Sequence, residues 1–183
     1  IGNNIDGLMQ PDKYAGNGKG YVVRSLYFDD FQDGCLYDNI NGNDPREKFR
    51  VRIYNADKSY IRLELKRKEK GKTRKHSCRI DETLCREMMQ GRPLRMDAID
   101  AVIYRKFCLW QNERLLQPKV IVEYDRRPYV YRDGNVRVTF DMNIRSGNDI
   151  EGFLDDMLVT RPAMPVNQHV LEVKFDELIP DFL

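Results

Sequence analysis

Cations at every second position are the chemistry-bearing pattern of this chain. Lys48-Phe49-Arg50-Val51-Arg52-Ile53-Tyr54 sets three cations against three apolar residues, because successive strand side chains point to opposite faces of a sheet. Arg62-Leu63-Glu64-Leu65-Lys66 repeats the design and adds a carboxylate. Val136-Arg137-Val138-Thr139-Phe140-Asp141 and Val170-Leu171-Glu172-Val173-Lys174-Phe175 repeat it again. Ordinary half-buried strands also alternate, with assorted polar residues outside. Here the polar face is strongly cationic, and a few carboxylates recur within it. Faces of this kind that converge would hold a polyanion. Two like charges about 4 Å apart repel by roughly 4 kcal/mol at an effective dielectric of about 20, so such an interior needs carboxylates, water or a bound anion. Phosphate chains suit it: Arg offers bidentate hydrogen bonds and Lys a point charge. A carboxylate among the cations can hold a divalent metal that bridges phosphate oxygens.

The elements that must carry these residues are mostly strands. Residues 1–20, rich in Gly, Asn and Asp, read as a loop or a frayed end. A strand over 21–28 ends at Asp29-Asp30, which read as a cap for the short helix that follows rather than as a metal site. Asn41-Gly42-Asn43-Asp44-Pro45 marks a turn. Strands follow over 47–55 and 59–68, joined as a hairpin through Asn55-Ala56-Asp57, and over 73–80. Asp81 is the expected N-cap of a helix stopping at Gly91. A second helix is expected from Asp97 to Asn112, with Ile99, Val102, Ile103, Phe107 and Trp110 as its apolar stripe. Strands over 119–125, 129–132 and 136–141 follow, the last two turning at Asp133-Gly134-Asn135. Residues 143–168 read as irregular, and 170–175 as the last strand. Trp110 and the aromatics at 27, 28 and 140 are expected in the core. About eight strands joined by tight turns favour a sandwich or a closed barrel. The charged alternation favours an α+β fold: an antiparallel eight-stranded barrel with a cationic lumen and a few helices covering its apolar outside.

Composition sets limits on function. A chain of 183 residues is expected to form one domain over 1–183. The formal net charge of +2 argues against a general nucleic-acid binder, as does the lack of aromatics interleaved with the basic residues. No run of about 18 apolar residues occurs, and no leader is visible at the N-terminus. Cys35, Cys78, Cys85 and Cys108 have no CxxC spacing, and His76 and His169 stand apart from them, so buried free thiols are expected rather than zinc.

Six motifs then stand in a telling order. Ser25-Leu26-Tyr27-Phe28-Asp29, the 48–54 strand, Glu64-Leu65-Lys66, Tyr124-Asp125-Arg126, Arg137-Val138-Thr139-Phe140-Asp141 and Leu171-Glu172-Val173-Lys174 together resemble the catalytic domain of the vacuolar transporter chaperone (VTC) family. That family is the polyphosphate-polymerase branch of the triphosphate tunnel metalloenzymes, and the resemblance runs over about 21–176. It implies an eight-stranded tunnel lined by Arg and Lys, with the γ-phosphate of ATP transferred to a growing polyphosphate chain. Arg50 and Arg52 resemble the paired tunnel arginines, Lys66 the lysine of the E-x-K strand, and Lys75 a further phosphate-binding lysine. Arg126 and Arg137 resemble the arginines of the later strands. Glu172 resembles the metal-binding glutamate, for Mn²⁺ or Mg²⁺, and Lys174 its neighbouring phosphate ligand. ATP, polyphosphate or pyrophosphate, a cytoplasmic location and a possible membrane-protein partner for product handling are implied in the same way. The family's N-terminal strand and its C-terminal helix lysine are expected to lie outside this chain. Two rival readings stay open. One is a metal-dependent triphosphatase or nucleotidase, although the glutamate-rich first strand of sister branches is not found. The other is a non-catalytic polyphosphate- or nucleotide-binding module. For Glu64 the alternative is a plain cross-strand ion pair, and for Asp141 both roles stay open.

Overall fold

Alternation in the sequence becomes long antiparallel strands. The computed structural model describes residues 7–16, 18–165, 167–176 and 179–180; the loop reading of residues 1–6 lies outside them. In chain order the elements are β1 (Gln10–Pro11), β2 (Tyr21–Asp29), α1 (Gly34–Ile40), β3 (Arg46–Tyr54), β4 (Ile61–Glu69), β5 (Lys72–Ile80), α2 (Glu82–Met89), α3 (Val102–Arg114), β6 (Gln117–Tyr131), β7 (Val136–Gly147), β8 (Arg161–Pro162) and β9 (Val170–Lys174). Single 3₁₀ turns stand at Asp133–Asn135 and Glu151–Leu154. Hydrogen bonds order the strands β5-β4-β3-β2-β6-β7-β8, with β1 on β6 and β9 on β7.

The α+β class and the antiparallel build are as the sequence implies, with two differences. Among the described residues there are nine strands, and the hydrogen-bonded path does not close but ends at β5 and β8. Both ends suit a strand edge: β5 carries Lys72, Arg74 and Lys75 with its first five residues exposed, and β8 is two residues long with a proline. Charged and short strands of this kind resist further pairing.

Two compact units divide the chain. One holds Arg24–Val122 and Ser146–Arg161. In it β3 pairs with β4 and β4 with β5, in a register that stacks Phe49 on Leu65 and Val51 on Leu63 and Cys78. This apolar face receives α3, whose Phe107 meets Phe28 and Phe49 edge-on at 5.0 and 5.3 Å, and α2 through Leu84 and Met88. Each such side chain contributes about 1.5–3 kcal/mol on burial. Phe28 and Trp110 lie in this core, as expected. Arg24 is 3% exposed; its Nη1 donates to the carbonyls of Phe153 and Asp155 at 2.8 and 2.6 Å, which fixes the 3₁₀ turn.

Local signals set the boundaries. Asp81 accepts from the Leu84 amide at 2.8 Å, the expected N-cap. Asp29 accepts from the amides of Cys35 and Leu36, and Asp30 from those of Gln32 and Gly34, so both carboxylates serve the start of α1. The second helix begins at Val102, later than Asp97: Ala101, its N-cap, is extended at φ −142° and ψ 129°, and the Tyr104 hydroxyl donates to the Arg95 carbonyl of the preceding turn. The two strands expected over 119–125 and 129–132 are one, β6, with Pro128 inside it. The segment 143–168 is less irregular than expected, holding the end of β7, a 3₁₀ turn and β8. Residues 10–11, read as loop, pair with Val130 and Tyr129.

The other unit comprises the described residues among Ile1–Val23, Glu123–Arg145 and Pro162–Leu183. Its core is small: Met9, Tyr129, Val136 and Val138, with Phe140 packed against them. Gly134, at φ 75°, makes the turn from β6 into β7. No described helix is long and apolar enough to cross a membrane.

Candidate functional site

The face of β3–β5 opposite the core carries the cations. Cross-strand register sets Arg46 beside Lys68, Lys48 beside Lys66 and Lys75, Arg50 beside Glu64 and Ser77, and Arg52 beside Arg62 and Arg79. In this set Glu64 is the one carboxylate, and its side chain is 1% exposed. Arg50 approaches its Oε2 through Nε and Nη2, both at 2.7 Å. Arg52 Nη1 lies 3.7 Å from the same oxygen, and Lys75 Nζ pairs with Oε1. Three of the four sequence-predicted cations of this unit therefore meet on Glu64. Lys66, exposed, lies one row along.

Strand β2 supplies the next layer. Ser25 Oγ accepts from Arg52 Nε at 3.2 Å, and the Tyr27 hydroxyl accepts from Arg50 Nη1 at 3.1 Å. Tyr27 is thus no core aromatic, and that expectation is corrected: it stands two residues from Ser25 on the polar side of β2, whereas Leu26 and Phe28 face the core. Burial pushes the Tyr27 hydroxyl up, but the charges of Arg50, Lys48 and Arg52 and the Arg50 hydrogen bond take it below the ordinary tyrosine value. For Glu64, burial likewise favours the neutral acid, and Arg52, Arg50 and Lys75 outweigh it, so the carboxyl titrates below its usual range. An ionised Glu64 keeps the guanidinium groups aligned while leaving Arg50 16% exposed.

The second unit has its own cluster. Arg126 forms a bidentate pair with Asp141, Nε to Oδ1 and Nη2 to Oδ2, each 2.7 Å. Burial works against the Arg126 charge, and the Asp141 hydrogen bonds and charge more than restore it. Glu172 Oε2 lies 3.9 Å from Arg126 Nη2, and Lys174 Nζ lies 3.2 Å from Glu172 Oε1. Arg137 is opposite Lys174 in the β7–β9 register; its Nη2 pairs with Asp12 at 3.3 Å. Asp141 is therefore a structural counter-ion for Arg126. Sequence reasoning passed over Arg145, which binds Glu123 at 2.8 and 2.9 Å; the alternation of Glu123 and Asp125 on β6 was the signal for it.

Glu172 is a single carboxylate between two cations. Among the described residues no group of three or more His, Cys, Asp or Glu side chains could hold a metal. Mg²⁺ is commonly bound through one or two carboxylates plus substrate phosphates, and Glu172 fits that use and no all-protein cage. The thiols carry no chemistry here: all four are free, with Cys85 and Cys108 buried and Cys35 and Cys78 half-buried. Burial and the nearby Asp29 push Cys35 up to about 12, which keeps it neutral.

The family profile described as "VTC domain" matches residues 2–183. No curated protein matches the chain in a sequence search. Among solved structures, the chain is similar to a candidate adenylate cyclase from Bacillus halodurans, with TM-score 0.47 and 14% identity, over 80% of this chain and 66% of that one. It is also similar to a candidate adenylyl cyclase from Hippeastrum described as having a dominant triphosphatase activity, with TM-score 0.44 and 13% identity, over 76% of this chain and 70% of that one.

Proposed function

The chain belongs to the VTC domain family, and from that premise we propose that it is an ATP-dependent polyphosphate polymerase. The observation that carries the reading is the meeting of Arg50, Arg52 and Lys75 on one buried carboxylate. That arrangement presents preorganised donors to an anion, and such donors stabilise charge that develops in a transition state.

Arg50, Arg52, Lys66 and Lys75 on one unit, and Arg126, Arg137 and Lys174 on the other, are the groups proposed to bind phosphate oxygens. Phosphoryl transfer asks little covalent chemistry of a protein, so positioning and charge neutralisation carry it. An oxygen of the acceptor phosphate would attack the γ-phosphorus of ATP as the bond from that phosphorus to the β–γ bridging oxygen breaks and ADP leaves, so no protein nucleophile is required. Arg50 and Arg52, oriented by Ser25, Tyr27 and Glu64, would align the transferred phosphoryl group. Glu172 would hold a Mn²⁺ or Mg²⁺ ion that arrives with the substrate, and the bound ion would neutralise charge on phosphate oxygens.

Incubation with ATP and Mn²⁺ or Mg²⁺, with products resolved on a polyphosphate-stained gel beside a free-phosphate assay, tests this. The expected result is a ladder that Arg52→Gln reduces at least about tenfold, the scale of one lost charge-assisted contact, and that Glu172→Ala abolishes. Free phosphate without a ladder would make water the acceptor and the protein a hydrolase. Neither product, with triphosphate binding retained, would make it a binding module.

A further inference from the structure

One buried hydroxyl of the second unit makes no hydrogen bond. On β7, Val136 and Val138 enter the small apolar core and Phe140 packs against it, so Arg137, Thr139 and Asp141 lie on the opposite, polar face. Arg137 pairs with Asp12, and Asp141 with Arg126. Thr139 stands between them, 3% exposed, and among the described residues its Oγ1 has no hydrogen-bond partner. A threonine hydroxyl can donate once and accept twice, and a buried one left unpaired lowers stability. Valine has the same shape and would avoid that loss.

The β7–β9 register shows what the hydroxyl can serve. Thr139 is directly opposite Glu172. Opposed side chains on antiparallel strands share a face, with Cβ atoms about 4.5–5.5 Å apart. The Glu172 carboxylate is turned to cations: Lys174 Nζ lies 3.2 Å from Oε1, and Arg126 Nη2 lies 3.9 Å from Oε2. These two cations differ in freedom. Arg126 is fixed by its bidentate pair with Asp141. Lys174 is 62% exposed and carries its charge on a flexible stem, so it can turn from Glu172 to a phosphate oxygen. Glu172 then loses its nearest donor, and Thr139 is the hydroxyl beside it.

We propose that Thr139 is the positioning residue of Glu172: when Lys174 engages phosphate, the Thr139 hydroxyl donates to one Glu172 oxygen and leaves the other directed at a divalent cation. The inference rests on the metal role of Glu172 proposed above and adds the group that orients it. Carboxylates that ligate metals are commonly hydrogen-bonded in this way, and loss of such a partner weakens metal binding about 10–100-fold.

Calorimetric titration of tripolyphosphate, once without metal and once as its Mn²⁺ complex, into the wild type, Thr139→Val, Thr139→Ser and Glu172→Ala decides the matter. Thr139→Val should keep its metal-free affinity and lose about tenfold in affinity for the Mn²⁺ complex. Thr139→Ser should retain both affinities, since it keeps the hydroxyl. The melting temperature of Thr139→Val without ligand should not fall, because a buried unpaired hydroxyl has been removed; a fall would show that the hydroxyl is already bonded in the free protein and overturns the inference. So does an equal loss for both ligands, which would mean altered packing, and so does a Thr139→Ser variant as weak as Thr139→Val. If Glu172→Ala weakens binding of the Mn²⁺ complex and Thr139→Val does not, the role of Thr139 falls alone. If Glu172→Ala leaves that affinity unchanged, the metal role of Glu172 falls and the role of Thr139 with it.

Discussion

Removing Glu64 strips three cations of their shared partner. A buried charge set loses about 3–5 kcal/mol when one member is deleted, because the others stay behind uncompensated. Glu64→Ala should therefore lower stability by about 3 kcal/mol in phosphate-free buffer, read by denaturant unfolding. The pH dependence has a definite sign. The folded carboxyl titrates below its ordinary value of 4.5, so as pH falls the unfolded chain binds the proton first. The stability that Glu64 contributes is complete above that ordinary value and is lost as pH falls through the lower, folded one. Glu64→Gln should remove this part of the acid limb while keeping the side-chain shape. The same variant leaves Arg50 and Arg52 with more uncompensated charge, so it should bind pyrophosphate more tightly than the wild type does. Weaker binding in titration would show that the carboxylate's alignment of the arginines outweighs the charge it cancels.

Elements hold these residues through ordinary capping and packing, and that is where sequence reasoning reached furthest. Asp81→Ala should cost about 1 kcal/mol, since the Leu84 amide loses its acceptor. Phe107→Ala should cost about 3–5 kcal/mol, because its ring fills the angle between Phe28 and Phe49; thermal melts check both. The β3–β4 hairpin offers a gain instead. Asn55 and Ala56 both have positive φ, 50° and 54°, a conformation that costs an L-residue about 1 kcal/mol, so Ala56→Gly should raise stability by up to that amount. The alternation in β3, β4, β7 and β9, the Asp81 cap and the Asp29 cap were legible because each is a local pattern with a local cause. The late start of α3 was not, since Ala101 turns extended ahead of Val102 within a stretch whose helical period the sequence shows plainly. Tyr27 was misread for a similar reason: an aromatic between Leu26 and Phe28 looks like core until strand parity is counted from Ser25. The hub role of Glu64 was half legible. Its place on the charged face follows from alternation, whereas its three partners come from two other strands whose register no single segment specifies.

At the scale of the whole molecule, a net charge of +2 hides a strong separation of charge. Cations are concentrated on the β3–β5 face around one buried carboxylate, and carboxylates are spent elsewhere on Lys106, Arg86, Arg105 and Arg145. Folding therefore works against repulsion on that face, and any anion that binds only the folded protein relieves it. A ligand at a hundred times its dissociation constant adds about 2.7 kcal/mol by mass action. For a domain of this size, 1 kcal/mol moves the melting temperature by about 2–4 °C, so saturating tripolyphosphate should raise it by roughly 5–10 °C. Two controls separate specific binding from screening. Sodium chloride at equal ionic strength acts through a Debye length of about 8–10 Å at moderate salt and should give a much smaller shift. Arg52→Gln, which removes one guanidinium from the Glu64 cluster, should reduce the tripolyphosphate shift and leave the salt response as it was. A shift of equal size in wild type and variant would place the anion away from Arg52, and the phosphate-binding role proposed for this face would fail.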